Sequence, residues 1–251
     1  MIYIATHKVF TVPKEQGYVP LHVGAEGKEP LGYLPDNTGD NISSKNANYC
    51  ELTGLYWIWK NVNDEYKGLV HYRRYFSNAF LQKNILTEKD INKVLKRYDV
   101  ILPFRRTMDK SLIDDYCEIS GFQKDLDKVR AIIEKNYPEY LSSYDRTMND
   151  RKIYYFNMMI ASKKLFDTYC EWLFGILFEL EKEVDLTGYD DYQKRIYGFI
   201  SERLLNVFFD HNHYKVFECG VVNTEGNWSL LKRIRTAAKR VILFRTQLYL
   251  K

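Results

Sequence analysis

The sequence predicts an α/β protein built on a mixed, mostly parallel sheet. Three observations carry this. Short apolar runs alternate with amphipathic helical segments along most of the chain. Clusters of Gly, Pro, Asn and Asp punctuate them. Runs such as residues 2–6 and 99–103 are largely apolar rather than alternating, as expected of strands covered on both faces.

Taken in order, residues 2–6 read as a buried strand and residues 19–23 as a second, closed by Gly24-Ala25. Residues 26–45, rich in Gly, Asn, Asp and Pro, read as a long loop, a length that is often functional. A helix is expected over 48–60, with Tyr49, Leu52, Tyr56 and Trp59 as its core-facing stripe. A strand over 67–71 is left through residues 72–76. Thr87, three residues before Asp90, caps a helix running to about Arg97. Residues 99–103 form the next strand; the runs 2–6, 67–71 and 99–103 are expected to be neighbouring central strands. Residues 110–150 read as helical, most strongly over 125–135, with an interruption at Pro138. Residues 154–161 read as a strand, 163–183 and 191–209 as helices, and 214–222 as the last strand. Residues 229–250 read as an amphipathic helix. The expected organisation is one domain over 1–225 followed by a helix within 226–251.

Composition narrows the function. The net charge of +4 hides an asymmetry: no acidic residue follows Glu225, while seven basic residues do, leaving −3 for the rest. An acidic body with a basic tail argues against a nucleic-acid binder and for a local anionic partner. In the tail, Leu231, Ile234, Ala238, Val241, Phe244 and Leu248 share one stripe, with Lys232, Arg235 and Lys239 on another face. That pattern suits an anionic membrane surface, or equally a helix packed on the domain. Cys50, Cys117, Cys170 and Cys219 are too scattered for a zinc site and are expected as free thiols in a reducing cytoplasm. The start of the sequence lacks the pattern of a signal peptide, and no apolar stretch is long enough to span a membrane. Aromatic content of 16%, with 21 tyrosines, suits either sugar recognition or an aromatic core.

In parallel sheets ligands bind at the carboxyl ends of strands, which directs attention to Thr6, His7, Gly24-Ala25, Phe104 to Arg106, and the segment GLVHYRRYF at 68–76. There a short strand runs into His71, Tyr72, Arg73 and Arg74. Two arginines at a strand end offer planar forks for phosphate oxygens, or simply surface ion pairs. Asn41, Lys45 and Asn46 precede a helix, whose free N–H groups attract anions. Asn157 is a polar residue in an apolar strand, needing partners from a ligand or from the protein. Gly198 inside a helix suggests close packing or a ligand approach. Glu202-Arg203 is either a buried ion pair or a carboxylate placed in the site. Walker A, G-x-G-x-x-G, H-E-x-x-H and G-x-S-x-G patterns are all missing, as is an Asp-x-Asp closing an apolar strand.

The segments VPLHVGA, GDNISSKNANYCELTGLYWIWKN, GLVHYRRYF, DVILP, FNMMIASKKLFDTYCEWLF and GFISERLLNVFF together resemble a group of bacterial capsular and exopolysaccharide glycosyltransferases. That group was long catalogued only as a domain of unknown function and includes galactofuranosyltransferases. The resemblance runs from about residue 2 to 225 and departs at Gly121, where the group usually carries His. It implies a GT-A-like fold with one Rossmann-type domain, a UDP-sugar donor (UDP-galactofuranose first) and a glycan or lipid-linked acceptor. It also implies inverting transfer at the cytoplasmic face of the plasma membrane. GLVHYRRYF falls where many GT-A enzymes hold a metal, so arginines in place of carboxylates imply a metal-independent enzyme with no cofactor. An inverting displacement needs a carboxylate base; Glu202 is the first candidate, then Asp125 and Asp191. The competing readings are a nucleotidyl- or phospho-transferase and a non-catalytic glycan-binding module.

Overall fold

A computed structural model describes residues 1–77 and 85–225. The helix expected over 229–250 lies outside the described residues.

Ten strands and eight α-helices are present among them. The strands are β1 (Ile2–Thr6), β2 (Tyr18–His22), β3 (Leu34–Pro35), β4 (Tyr66–His71), β5 (Arg74–Ser77), β6 (Val100–Pro103), β7 (Arg106–Thr107), β8 (Lys152–Ile153), β9 (Met159–Ser162) and β10 (Val216–Asn223). The helices are α1 (Asn46–Tyr49), α2 (Leu52–Asn61), α3 (Glu88–Leu95), α4 (Leu112–Ile119), α5 (Gln123–Asn136), α6 (Leu141–Asn149), α7 (Lys163–Glu183) and α8 (Ile196–Asn212).

The main sheet is mixed and mostly parallel, as expected. β1 lies between β2 and β4, parallel to both, and β3 extends that edge. β9 then pairs antiparallel with β4 on one side and β6 on the other. β10 is parallel to β6 and antiparallel to β5, which returns to β4 at the single pair His71 and Arg74. This corrects one expectation: β6 is not beside β4, because β9 is inserted between them. Sheet neighbours are set by the path of the crossovers, which apolar character does not encode.

Both faces of the sheet are covered. In β1, Tyr3 and Ala5 belong to the core under α2, α5, α7 and α8, while Ile2 and Ile4 belong to the core under α3 and β5. Strand alternation assigns the two sets to opposite faces, and both are apolar because neither face meets water. α7 is anchored by Lys67 of β4, whose buried ammonium lies 2.6 Å from Asp167 and also reaches the carbonyl of Ile58. The tyrosines largely serve this core: Tyr49, Tyr75, Tyr116, Tyr154 and Tyr169 are fully buried.

Three element readings need correction, and the first two involve bends that bear on the site. The helix expected over 48–60 is two helices, broken at Cys50, whose φ is +52°. The strand expected over 154–161 begins only at Met159, after a turn in which Phe156 and Asn157 have φ of +82° and +50°. The helix expected from residue 191 begins at Ile196.

Candidate active site

The carboxyl ends of β1, β2 and β4 open onto a cleft of about 840 Å³. β9 runs the other way, so the turn that precedes it comes to the same edge. Thr6 closes β1 by turning the chain: its hydroxyl donates to the Lys8 carbonyl at 2.6 Å and accepts from the Lys8 N–H. Beyond β2, buried Asp36 accepts the N–H groups of Gly24 and Ala25 at 2.8 and 3.0 Å and the Ser43 hydroxyl. This holds the loop after β2 against the start of α1. Gly24 has φ of +63°, and a Cβ there would lie 2.3 Å from Asn46 Cγ. Glycine is required because the Asn46 side chain occupies that space.

The turn before β9 organises the cleft. Two successive non-glycine residues at positive φ are costly, by about 1–3 kcal/mol each, and persist where their surroundings over-determine them. Here four hydrogen bonds do so. The Phe156 N–H donates to Glu202 Oε1 at 2.8 Å, and the Phe156 carbonyl lies 2.7 Å from His71 Nε2. Asn157 Nδ2 donates to Glu51 Oε1 at 2.9 Å and to the Gly198 carbonyl at 3.2 Å. One turn therefore fixes Glu202 from α8, His71 from β4 and Glu51 at the head of α2. Gly198 faces the bend at Cys50, where a Cβ would stand 3.4 Å from Cys50 Sγ, an ordinary van der Waals distance.

Burial pushes the Glu202 carboxyl up to about 7, helped by the Glu51 charge and opposed by Arg203, the Phe156 N–H and Arg74. Such a carboxylate both holds and releases a proton near neutrality. Burial lowers the His71 imidazole, so it is neutral at pH 7. Neutral His71 donates its Nε2 proton to the Phe156 carbonyl, leaving Nδ1 as an acceptor. Burial also raises the Cys50 thiol to about 11, with Arg195 Nε 3.2 Å from its sulfur.

Around these groups stand His7, Lys28, Arg73, Arg74 and Arg195. Arg73 lies 3.8 Å from Glu225. Arg74 has no ion-pair partner among the described residues and rests 4.5 Å from the Phe156 ring centroid. The cleft therefore offers cationic forks beside two carboxylates. Among the described residues no three His, Cys, Asp or Glu side chains group as metal ligands would.

Of the residues singled out from the sequence, the fold brings Thr6, His7, Asn46, His71, Tyr72, Arg73, Arg74 and Glu202 to the cleft. Asn157 is buried behind it, bonded to Glu51, with its Oδ1 unpartnered. Gly24 supports Asn46 from behind. Asn41 caps the turn at Ser43, accepting its N–H at 3.1 Å, and is not in the cleft. Lys45 turns away to Glu181 at 2.6 Å. Asp125 is also displaced from the expected place: it is buried and accepts from the Tyr116 hydroxyl, the Phe122 N–H and the Tyr189 hydroxyl. Gly121 packs on that cluster, where a Cβ would stand 2.4 Å from the Tyr116 hydroxyl. Asp191 is exposed and paired with Lys194 at 3.2 Å. The Glu202-Arg203 pair fits both readings: Glu202 lines the cleft yet stays 3.7 Å from buried Arg203, which also binds Asp115.

Sequence reasoning passed over Lys28, Glu51, Phe156 and Arg195. A signal for Glu51 existed, a carboxylate one residue after a helix break, but nothing local marks Cys50 as that break.

A family profile described as "Domain of unknown function (DUF4422)" matches residues 1–213. Among solved structures, one described as the WbbM bifunctional glycosyltransferase in its apo form matches with a TM-score of 0.83 and 32% identity. The match covers 90% of this chain and 45% of that one, so this chain spans less than half of its solved neighbour. No curated protein matches.

Proposed function

The chain belongs to the family described as Domain of unknown function (DUF4422), and from that premise we propose that it is a glycosyltransferase moving a sugar from a nucleoside diphosphate donor to a glycan or lipid-linked acceptor. The observation that carries the reading is Glu202, held by the Phe156 N–H at the cleft wall and poised near neutrality, in a cleft that also presents Arg74. The glycosyltransferase identity of the solved neighbour supports it.

In this reading Arg73, Arg74 and Lys28 bind the diphosphate. Their fixed positive charges meet the negative charge that grows on the leaving phosphate, stabilisation that needs no metal. Ionised Glu202 accepts the proton of the acceptor hydroxyl as its oxygen bonds to the anomeric carbon. The bond from that carbon to the phosphate oxygen breaks, and the configuration inverts. His71 Nδ1 and Glu51 are acceptors for sugar hydroxyls. Galactofuranose is proposed as the donor sugar on the family resemblance, as is a place in capsule or exopolysaccharide synthesis.

The test is thermal unfolding with UDP, UDP-galactofuranose and other nucleotide sugars, followed by donor turnover in EDTA. A true donor at a hundredfold excess over Kd should stabilise the fold by about 2.7 kcal/mol, and turnover should survive chelation. A protein indifferent to every nucleotide, or one inactive in EDTA and revived by Mn²⁺, refutes the respective claim.

The basic amphipathic stretch within 226–251 is proposed to hold the enzyme on anionic membrane at the cytoplasmic face, where each Lys or Arg near the surface contributes about 1 kcal/mol. Sedimentation with vesicles containing phosphatidylglycerol should show binding that vanishes when the chain ends at Asn227. Equal binding by the shortened chain counts against it.

A further inference from the structure

Phe156 is in contact with two guanidinium groups. Arg74 reaches its ring from the cleft; the other belongs to Arg106, 5.0 Å from the Phe156 centroid and 5.3 Å from that of Tyr155. Arg106 opens β7, which follows the carboxyl end of β6 and pairs antiparallel with β8, setting Arg106 opposite Ile153. That ribbon fixes its backbone three residues from the turn that positions Glu202. Its neighbour Arg105 approaches Glu218 at 3.8 Å, whereas exposed Arg106 has no carboxylate within ion-pair distance among the described residues. Aromatic rings accept no conventional hydrogen bond, so these contacts leave the Arg106 N–H donors for an oxyanion.

Position on the sheet says which substrate meets them. Thr6 and His7 lie at the end of β1, and Val23 follows β2, while β7 lies past β6, with β4 and β9 between. A donor seated at the β1, β2 and β4 ends leaves the Arg106 side open to the other substrate. Glu202 stands next to that side, since the same Phe156 that bonds Glu202 also contacts Arg106.

We propose that Arg106 binds an anionic group of the acceptor, a carboxylate or phosphate carried near the hydroxyl that attacks, so that the acceptor is an acidic or phosphate-linked glycan. This rests on the glycosyltransferase reading. Arg106 is a specificity residue here: it selects the acceptor and takes no proton.

The test is binding of three probes to the UDP-saturated full chain: octyl β-D-glucoside, octyl β-D-glucuronide and octyl β-D-glucoside 6-phosphate, each below its micelle concentration. At least one charged probe should bind about tenfold tighter than the neutral one, the ratio that one charge-assisted pair supplies. The preference should shrink in high salt. A glucuronide preference identifies a uronic-acid acceptor; a phosphate preference identifies a phosphate-linked one. Arg106→Gln should erase the preference and leave UDP affinity unchanged, and Arg106→Lys should restore part of it. Equal affinities, no binding of any probe, or a preference that survives Arg106→Gln overturns the proposal. If the native chain fails to bind UDP, the glycosyltransferase reading falls and this inference falls with it; if UDP binds and no preference appears, only this inference falls.

Discussion

Replacing Glu202 by Gln should lower sugar transfer by about 10²–10⁴-fold, the usual worth of a general base, while UDP binding stays intact. The amide keeps the shape of the side chain and an oxygen for the Phe156 N–H, so the turn before β9 should persist. What it loses is the capacity to take a proton. In the native enzyme kcat/KM should rise with pH and level off above about 7, as Glu202 ionises; in the variant that limb should be absent. Stability supplies an independent check. Because the folded pKa is raised, the folded state resists ionisation that the unfolded chain undergoes freely. Stability should therefore fall as pH rises from the ordinary carboxylate range to about 7. Glu202→Gln should remove that decline. A variant that retains near-native turnover would show that the base lies elsewhere.

Replacing Arg203 by Met should destabilise the fold by about 3–5 kcal/mol, as breaking one side of a buried ion pair does. Arg203 is 2% exposed, and its guanidinium binds Asp115 and the Phe199 carbonyl. Without it Asp115 is left unpaired at a site only 9% exposed. Adding Asp115→Leu should recover part of the loss, because an apolar pair needs no compensation. The variant also reports on the cleft. Arg203 lies 3.7 Å from Glu202 Oε2 and holds its pKa down. Its removal should move the rising limb of kcat/KM above 7. Urea unfolding and the pH–rate profile measure the two effects separately. A stable protein with an unmoved limb would show that neither coupling operates.

Local chemistry predicted much of this fold. β1 and α7 occur at the expected residues because each has a strong one-dimensional signal: an apolar run, or a long periodic helix opened by a cap. Thr87 and Asp90 form the reciprocal capping bonds their spacing announced. The bends were not legible. Cys50, Phe156 and Asn157 carry no glycine or proline signal, and the positive φ values of Phe156 and Asn157 are held by contacts with α8, β4 and the head of α2. Gly198, which suggested close packing or a ligand approach, faces Cys50 with room for a Cβ at ordinary van der Waals distance.

By itself the sequence determined the α/β class, most of the elements, and the strand-end arginines beside His71. Periodicity and strand-end position depend only on neighbours along the chain. Tertiary structure decided which carboxylates reach the cleft. Glu202, Asp125 and Asp191 look alike in one dimension. Folding buries Glu202 beside Glu51, some 150 residues earlier. It surrounds Asp125 with two tyrosine hydroxyls and a backbone N–H, and leaves Asp191 in water. A carboxyl group becomes a base near neutrality through desolvation and nearby charge. Both are properties of the space around it, and that space is assembled from residues distant in the chain.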